Sequence, residues 1–326
     1  MKIAMLSTPG EYADQLLAAL RTGTPYGYTA WAQGSPAPSN DFEVLIVMGP
    51  ADRARMQAQP KLGLVQAASA GYEGIDADAA TELGIWVAHA PSDETGNATS
   101  VAEHTILLLL ATSRHLGQEL ALTHGRADAS TPKPPYGVAL AGRTVCVVGL
   151  GGIGHKVVER LRPFGVHLTI VDPHPEHAPA DATFFRPDQL LEAIAVADYV
   201  VLALPADKAN ENLFHAETFA AMKQGAILIN IARGSLVDEQ ALLASIRAGH
   251  LGGAGLDVVR DEPIAHGNPL LTEPRILVTP HLAGFTTLTF EGTVAYLTKA
   301  LAEYERGVRS SGIVNEPVNP RHALRS

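Results

Sequence analysis

Short apolar runs separated by turn residues set the rhythm of this chain. Residues 2–6, 44–48, 62–66 and 86–88 are runs of strand length, and Gly, Pro, Asp and Ser cluster between them. Segments 12–20 and 76–83 carry apolar residues at helical spacing instead. This alternation predicts a small parallel-sheet α/β domain in the first hundred residues. A longer helical pattern covers 100–116, with Thr99 or Ser100 as its N-cap. Residues 117–142, with Pro132, Pro134 and Pro135, read as an extended arm or crossing connection.

From Thr144 onward the alternation is cleaner. Strands are expected at 144–148, 167–171, 199–204, 226–231, 254–258 and 276–278, with helices at 152–162, 187–195, 216–222 and 239–248. Such a series makes a doubly wound sheet whose ligand groups lie at the C-terminal ends of the strands. A last helix at 288–306 follows His281, and the N-terminal domain is its expected packing partner. The expected organisation is two Rossmann-like α/β domains. One is discontinuous and flavodoxin-like, built from 1–98 plus 285–326, and the other, 99–284, is inserted into it.

The most telling segment is the run from Val145 to Gly154. A buried strand leads into Gly149-Leu150-Gly151-Gly152-Ile153-Gly154, a helix starts there, and Asp172 closes the next apolar run. In G-x-G-x-x-G one glycine allows the tight turn, a second lets a pyrophosphate approach the backbone, and a third lets helix and strand pack closely. Free N–H groups of the helix N-terminus then face the phosphates. Alone the motif is weak, but strand, helix and terminal acid together make it a strong dinucleotide signal. It begins almost halfway along the 326 residues, so something of domain size precedes it. Asp172 favours NAD over NADP, because its carboxylate accepts ribose hydroxyls and repels a 2′-phosphate. The following Pro173-His174-Pro175-Glu176-His177 offers no arginine to offset that repulsion.

Composition narrows the picture further. A net charge of −10 argues against a nucleic-acid surface and against anionic membrane, so an anionic ligand must be drawn in by local positive charge. The single cysteine, Cys146, lies inside the apolar strand and reads as a small buried hydrophobe. No disulfide can form within one chain, which fits a reducing compartment. The apolar run at 106–111 is far short of a membrane span, and the first six residues are too short for a signal peptide. These points predict a cytoplasmic protein. No acid–histidine cluster has zinc-protease spacing, His174 and His177 read as solvated loop residues, and no metal is expected.

Three strand ends in the second half carry ionisable residues. Arg233 follows the strand at 226–231, Glu262 lies beyond that at 254–258, and His281 follows that at 276–278. Taken singly, each has an ordinary reading as a solvated loop residue. Asp257, at a strand end, reads equally well as a turn cap.

In these segments the chain resembles the D-isomer-specific 2-hydroxyacid dehydrogenase family, and the resemblance covers nearly its whole length. The matching pieces are Gly149 to Gly154 with Asp172, Asn230 to Asp238, Gly255 to Pro263, and Thr279-Pro280-His281. In the first domain Ser69 to Asp76 resembles the family's substrate loop, and Asn97 to His104 the start of its crossover helix. The resemblance implies an NAD-dependent oxidoreductase that interconverts a 2-oxo acid and a D-2-hydroxy acid, of the glyoxylate/hydroxypyruvate or D-lactate class. It implies a catalytic set of Arg233, Glu262 and His281. Arg233 is a permanently charged planar fork suited to a carboxylate. His281 is suited to donate the proton. Glu262 would orient the imidazole and favour its charged form.

For the substrate the resemblance implies Ser69, Ala70 and Gly71 on one wall of an interdomain cleft, with Arg233 and His281 on the other. For the cofactor it implies Leu204, Pro205, Asn210, Ile231, Ala232, Arg233, Asp257, His281 and Gly284 besides the glycine loop and Asp172. The 205–210 stretch lacks the family's usual threonine, and no tryptophan precedes the glycine loop; the only two are Trp31 and Trp86. Formate dehydrogenases of the family pair the histidine with glutamine, so Glu262 points to hydroxy-acid chemistry. The 99–142 arm implies a homodimer. The other reading is an NAD(H)-sensing corepressor-like protein with little turnover. Against it, the chain has no added basic or low-complexity interaction segment.

Overall fold

The computed structural model describes residues 1–124 and 136–325, so Pro132, Pro134 and Pro135 of the expected arm lie outside the described residues. The chain divides into two compact units, Met1–Asn97 with Thr286–Ser326, and Ala98–Phe285.

The first unit contains β1 (Lys2–Ser7), α1 (Glu11–Gly23), β2 (Gly27–Ala32), β3 (Val44–Met48), α2 (Arg53–Gln57), β4 (Leu64–Ala67), α3 (Ala77–Glu82) and β5 (Trp86–Ala88). Its sheet has the order β2-β1-β3-β4-β5, with every pair parallel. That is the flavodoxin-like order, in which the chain reverses direction across the sheet between β1 and β3. Parallel strands need a crossover on each connection, and α1 supplies one by burying Ala13, Leu16, Leu17 and Leu20 as a single stripe. The C-terminal helix, Thr287–Glu305, adds Tyr296, Leu297, Ala300, Leu301 and Tyr304 to the same core.

The second unit opens with α4 (Asn97–Ser113) and α5 (Leu116–Thr123). It continues through β6 (Thr144–Val148), α6 (Gly152–Leu161), β7 (His167–Val171), β8 (Ala182–Phe185), α7 (Leu190–Ala195), β9 (Tyr199–Leu202) and α8 (Ala216–Ala221). Then come β10 (Ile227–Asn230), α9 (Glu239–Arg247), β11 (Gly253–Leu256) and β12 (Ile276–Val278), and the C-terminal helix of the first unit is α10. The seven strands are ordered β12-β11-β10-β9-β6-β7-β8, again with every pair parallel. Six of them give the order of a dinucleotide-binding sheet, and the reversal falls between β6 and β9.

Three expectations need correction. The helix expected at 100–116 starts earlier and stops at Ser113, and His115, with φ of 53°, begins the separate helix α5. A left-handed residue ends the regular hydrogen-bond ladder, which an apolar pattern does not record. Thr99 and Ser100 are therefore first-turn residues of α4 rather than its N-cap, and Ser100 is buried. Residues 117–123 of the expected extended arm are helical, within α5. Strands β2 and β8 and the short helix α2 have no counterpart among the expected elements.

The glycine loop is held by contact distance. A Cβ on Gly154 would sit 2.1 Å from the Gly149 carbonyl oxygen, whereas one on Gly151 would meet nothing within 4 Å. Gly154→Ala is therefore expected to lower stability by about 1–3 kcal/mol through overpacking. Gly151→Ala, at an unstrained φ of −70°, should leave the urea midpoint unchanged. Equal midpoints for the two variants would contradict the packing role of Gly154.

Candidate active site

Where β6 meets β9, at the reversal of strand order, Gly149 turns with φ of 98°, and a Cβ there would lie 2.7 Å from both Ala203 O and Leu204 N. The turn delivers α6 with Gly151 as an N-cap that makes no side-chain hydrogen bond. The first-turn N–H groups of an α-helix have no intrahelical acceptor, so those of Gly152, Ile153 and Gly154 suit an anion. Asp172, buried at the end of β7, accepts from Leu150 N at 2.7 Å and from His174 N at 2.9 Å. The open face at Gly151, the uncapped helix and the acid tied to the loop together fit the pyrophosphate and ribose of an NAD molecule. Cys146 is buried beneath them, and desolvation pushes its thiol up to about 12, which removes it from chemistry.

Further along the sheet, β10 ends at Asn230, which is fully buried. Its side-chain oxygen accepts from Ala232 N at 3.0 Å, and its amide donates to Arg233 O at 2.9 Å. These two bonds shape the turn through Ile231 and Ala232 that presents Arg233. The Arg233 guanidinium donates to Ala232 O at 2.7 Å. A Cβ on Gly234 would lie 2.0 Å from the Val259 carbonyl carbon, so only glycine lets this turn approach the segment leading to Glu262.

Glu262 links that segment to the next strand end. One carboxylate oxygen accepts from Val259 N at 3.1 Å, and the other faces His281 Nδ1 at 2.7 Å. An ionised carboxylate only accepts, so Nδ1 carries the hydrogen and Nε2 is left to exchange a proton. His281 is half exposed, and its backbone lies in the left-handed region at φ of 54°. For a non-glycine residue that conformation costs about 1–2 kcal/mol, so surrounding bonds must hold it.

Asp257 supplies them. Its side chain is 1% exposed. It accepts from Thr279 Oγ1 at 2.7 Å, from Leu282 N at 2.9 Å and from Ala283 N at 2.9 Å, while Asp257 O receives His281 N at 2.8 Å. These bonds fit the turn-cap reading of Asp257. His104 of α4 completes the group, with Nε2 at 3.0 Å from Thr279 Oγ1. The hydroxyl donates to Asp257, so it accepts from His104. Neither the part of His104 nor that of Asn230 was legible in the chain. His104 acts through a contact distant in sequence, whereas Asn230 bonds to residues two and three positions on; in both cases the only local signal was a polar residue inside an apolar segment.

The remaining expected residues fall into separate groups. Asn210 closes the loop after β9, donating to Pro205 O at 2.9 Å and accepting from Asp207 N at 2.8 Å. Leu204 and Gly284 are partly buried, and Pro205 is exposed. In the first unit, Ser69 Oγ donates to Gly71 O at 2.8 Å, and His89 Nδ1 lies 2.9 Å from Ala70 O. The arrangement in the second unit is that of a dinucleotide-binding α/β domain carrying an acid–imidazole pair beyond its strand ends.

The chain belongs to the D-isomer-specific 2-hydroxyacid dehydrogenases: the family model for the NAD-binding domain matches residues 106–283. It is 36% identical over 268 residues to chloroplastic D-3-phosphoglycerate dehydrogenase 3 of Arabidopsis thaliana, covering 81% of this chain and 44% of that one. It is 34% identical over 288 residues to D-3-phosphoglycerate dehydrogenase of Methanocaldococcus jannaschii, covering 87% of this chain and 54% of that one. The chain thus spans about half the length of these curated relatives. Among solved structures, the NADPH-dependent glyoxylate/hydroxypyruvate reductase of Sinorhizobium meliloti superposes with a TM-score of 0.84 at 27% identity, covering 98% of this chain and 99% of that one. A protein from Thermus thermophilus gives 0.80 at 31% identity, covering 97% and 100%.

Asp257→Ala strands three donors around the His281 turn. It is expected to cost roughly 2–4 kcal/mol in urea unfolding and to speed amide exchange at Leu282 and Ala283. Exchange at wild-type rates would show that Asp257 does not hold the turn.

Proposed function

We propose that this chain is an NAD-dependent dehydrogenase that interconverts a small 2-oxo acid and the D-2-hydroxy acid, of the glyoxylate/hydroxypyruvate or D-lactate class. The observation that carries the reading is the 2.7 Å contact between Glu262 and His281 Nδ1 in a family NAD-binding domain. In this reading the second unit holds the cofactor and the first is the substrate domain. The enzyme acts as a cytoplasmic homodimer; among the described residues no helix is long and apolar enough to cross a membrane.

Each chemical role follows from the groups at hand. The nicotinamide, when bound, supplies the hydride. Arg233 clamps the substrate carboxylate and polarises the ketone oxygen, a task for a planar charged fork. The N–H groups of Ala70 and Gly71, on the turn that begins at Ser69, take the carboxylate as well. His281 Nε2 delivers a proton to the ketone oxygen during reduction and removes it during oxidation. Glu262 fixes the orientation of the ring through Nδ1. The other proposed cofactor contacts are Leu204, Pro205, Asn210, Ile231, Ala232, Asp257 and Gly284.

NADH oxidation should be stoichiometric with at least one of glyoxylate, hydroxypyruvate, pyruvate or a bulkier 2-oxo acid. Tight NADH binding with no turnover across that panel would instead leave a nucleotide-sensing binding protein. His281→Ala and Arg233→Ala should each lower kcat/KM by roughly 10²–10⁴-fold while NADH affinity, read by fluorescence titration, stays within about threefold. A loss of NADH binding as large as the loss of turnover would move the affected residue out of the catalytic set.

Glu262→Gln keeps the size of the side chain but replaces the carboxylate that faces His281 Nδ1. It is expected to lower kcat/KM by roughly tenfold or more while NADH affinity, read by fluorescence titration, stays within about threefold. Unchanged turnover would refute the pairing.

A further inference from the structure

Three imidazoles gather beside Asp172 and take no part in the proposed reaction. His174 and His177 follow the aspartate after β7, with ring centroids 5.4 Å apart. His155, in the first turn of α6, brings its ring to 6.2 Å from that of His177. All three residues are exposed. The group is tied to the nucleotide loop at two points. His174 N donates to Asp172 Oδ1 at 2.9 Å, and His155 Nδ1 lies 3.0 Å from Gly151 O. A carbonyl only accepts, so His155 Nδ1 carries the hydrogen in the neutral ring and Nε2 is the atom that gains a proton. His174 Nδ1 faces Glu176 at 3.3 Å.

Among the described residues, no group of three or more His, Cys, Asp or Glu is arranged to hold a metal ion. What this cluster can change is its charge. The acids on its own segment are Asp172 and Glu176. On α6, Lys156 is paired with Glu159 at 2.9 Å, and beyond it Arg162 is paired with Asp181 at 2.9 Å, so neither pair adds net charge. At the end of β8, whose Phe185 O accepts from Asp172 N, Arg186 and Asp188 add one charge of each sign. Two carboxylates against three neutral rings therefore give −2, and protonating all three rings brings the sum to +1. Imidazole is the side chain that changes charge between about pH 5 and 8, and a phosphate monoester keeps its second negative charge down to about pH 6. A phosphate among the rings would also relieve their mutual repulsion, so its binding and their protonation favour each other.

We propose that His155, His174 and His177 form a proton-gated subsite for the 2′-phosphate of an adenine dinucleotide. With the rings neutral, Asp172 and Glu176 exclude the phosphate and the chain selects NAD. With the rings protonated, the same place accepts the 2′-phosphorylated cofactor. The proposal rests on Asp172 receiving the adenosine ribose, and it specifies residues that set the choice between the two cofactors.

Calorimetric titration of the full chain with 5′-AMP and with adenosine 2′,5′-bisphosphate, at about pH 8 and about pH 6, tests it without any turnover. The affinity for the bisphosphate relative to 5′-AMP is expected to rise about tenfold or more on acidification. In the His174→Gln/His177→Gln variant the rise should shrink to less than about twofold while 5′-AMP binding is retained. A pH-independent ratio in the unaltered chain, or an undiminished rise in the variant, would overturn the proposal. Failure of 5′-AMP to bind at either pH would overturn the ribose assignment of Asp172, and the gate with it.

Discussion

One buried carboxylate organises the candidate catalytic end of the second unit. Asp257 sits where β11 ends, almost fully out of water, and its charge is met by a hydroxyl and two backbone N–H groups from the single turn that carries His281. A buried carboxylate without such donors would be costly, so the turn and the charge each require the other. The arrangement also explains how His281 sustains a left-handed backbone. The bonds on either side of it belong to one acceptor group, and relaxing the histidine would strand that acceptor. His104, reaching Thr279 from α4, adds a support from a different layer of the fold.

Around that anchor, backbone proximity does the remaining positioning. Parallel strands end on the same side of a sheet, so the turns after β10, β11 and β12 are neighbours by construction. Gly234 lets two of them touch where any side chain would hold them apart. Asn230 then fixes the turn before Arg233 with a fully buried amide, and Glu262 joins the Val259 backbone to the His281 ring. The residues proposed to touch substrate are partly or largely exposed, while Asn230 and Asp257, which hold the turns behind them, are buried. Buried polar groups that are fully paired make rigid supports, and an exposed acid–imidazole pair remains able to exchange protons.

The parts of this design that were legible in the chain are those written in local pattern. Strands β3, β5, β6, β7 and β12 match their apolar runs to the residue, because each is a run of strand length closed at both ends. The two missed strands, β2 and β8, are the outermost strands of their sheets on one side. An edge strand is paired along one side only, and both keep partly exposed residues, so neither forms a continuous apolar run. Helix α2 buries Met56 alone, too little to leave a stripe. The residue types at the strand ends were legible as candidates. The connections among them were not, since His104 and Thr279 meet across most of the second unit's sequence.

Charge explains how one acidic chain can serve an anionic cofactor. With a net charge of −10 the global field opposes an anion, so affinity must come from a few oriented groups. At the glycine loop those groups are uncapped helix N–H donors, whose partial charges do not titrate and act at short range. Asp172 works in the opposite sense. It is tied to the same loop through Leu150 N, and in the proposed reading it stands where added negative charge on a ribose would meet it. In that reading attraction for the pyrophosphate and repulsion of a further phosphate come from one short segment. In the same reading, a change of cofactor preference comes from altered charge at that acid rather than from a rebuilt loop, and the imidazoles of His155, His174 and His177 are the titratable groups proposed to supply it.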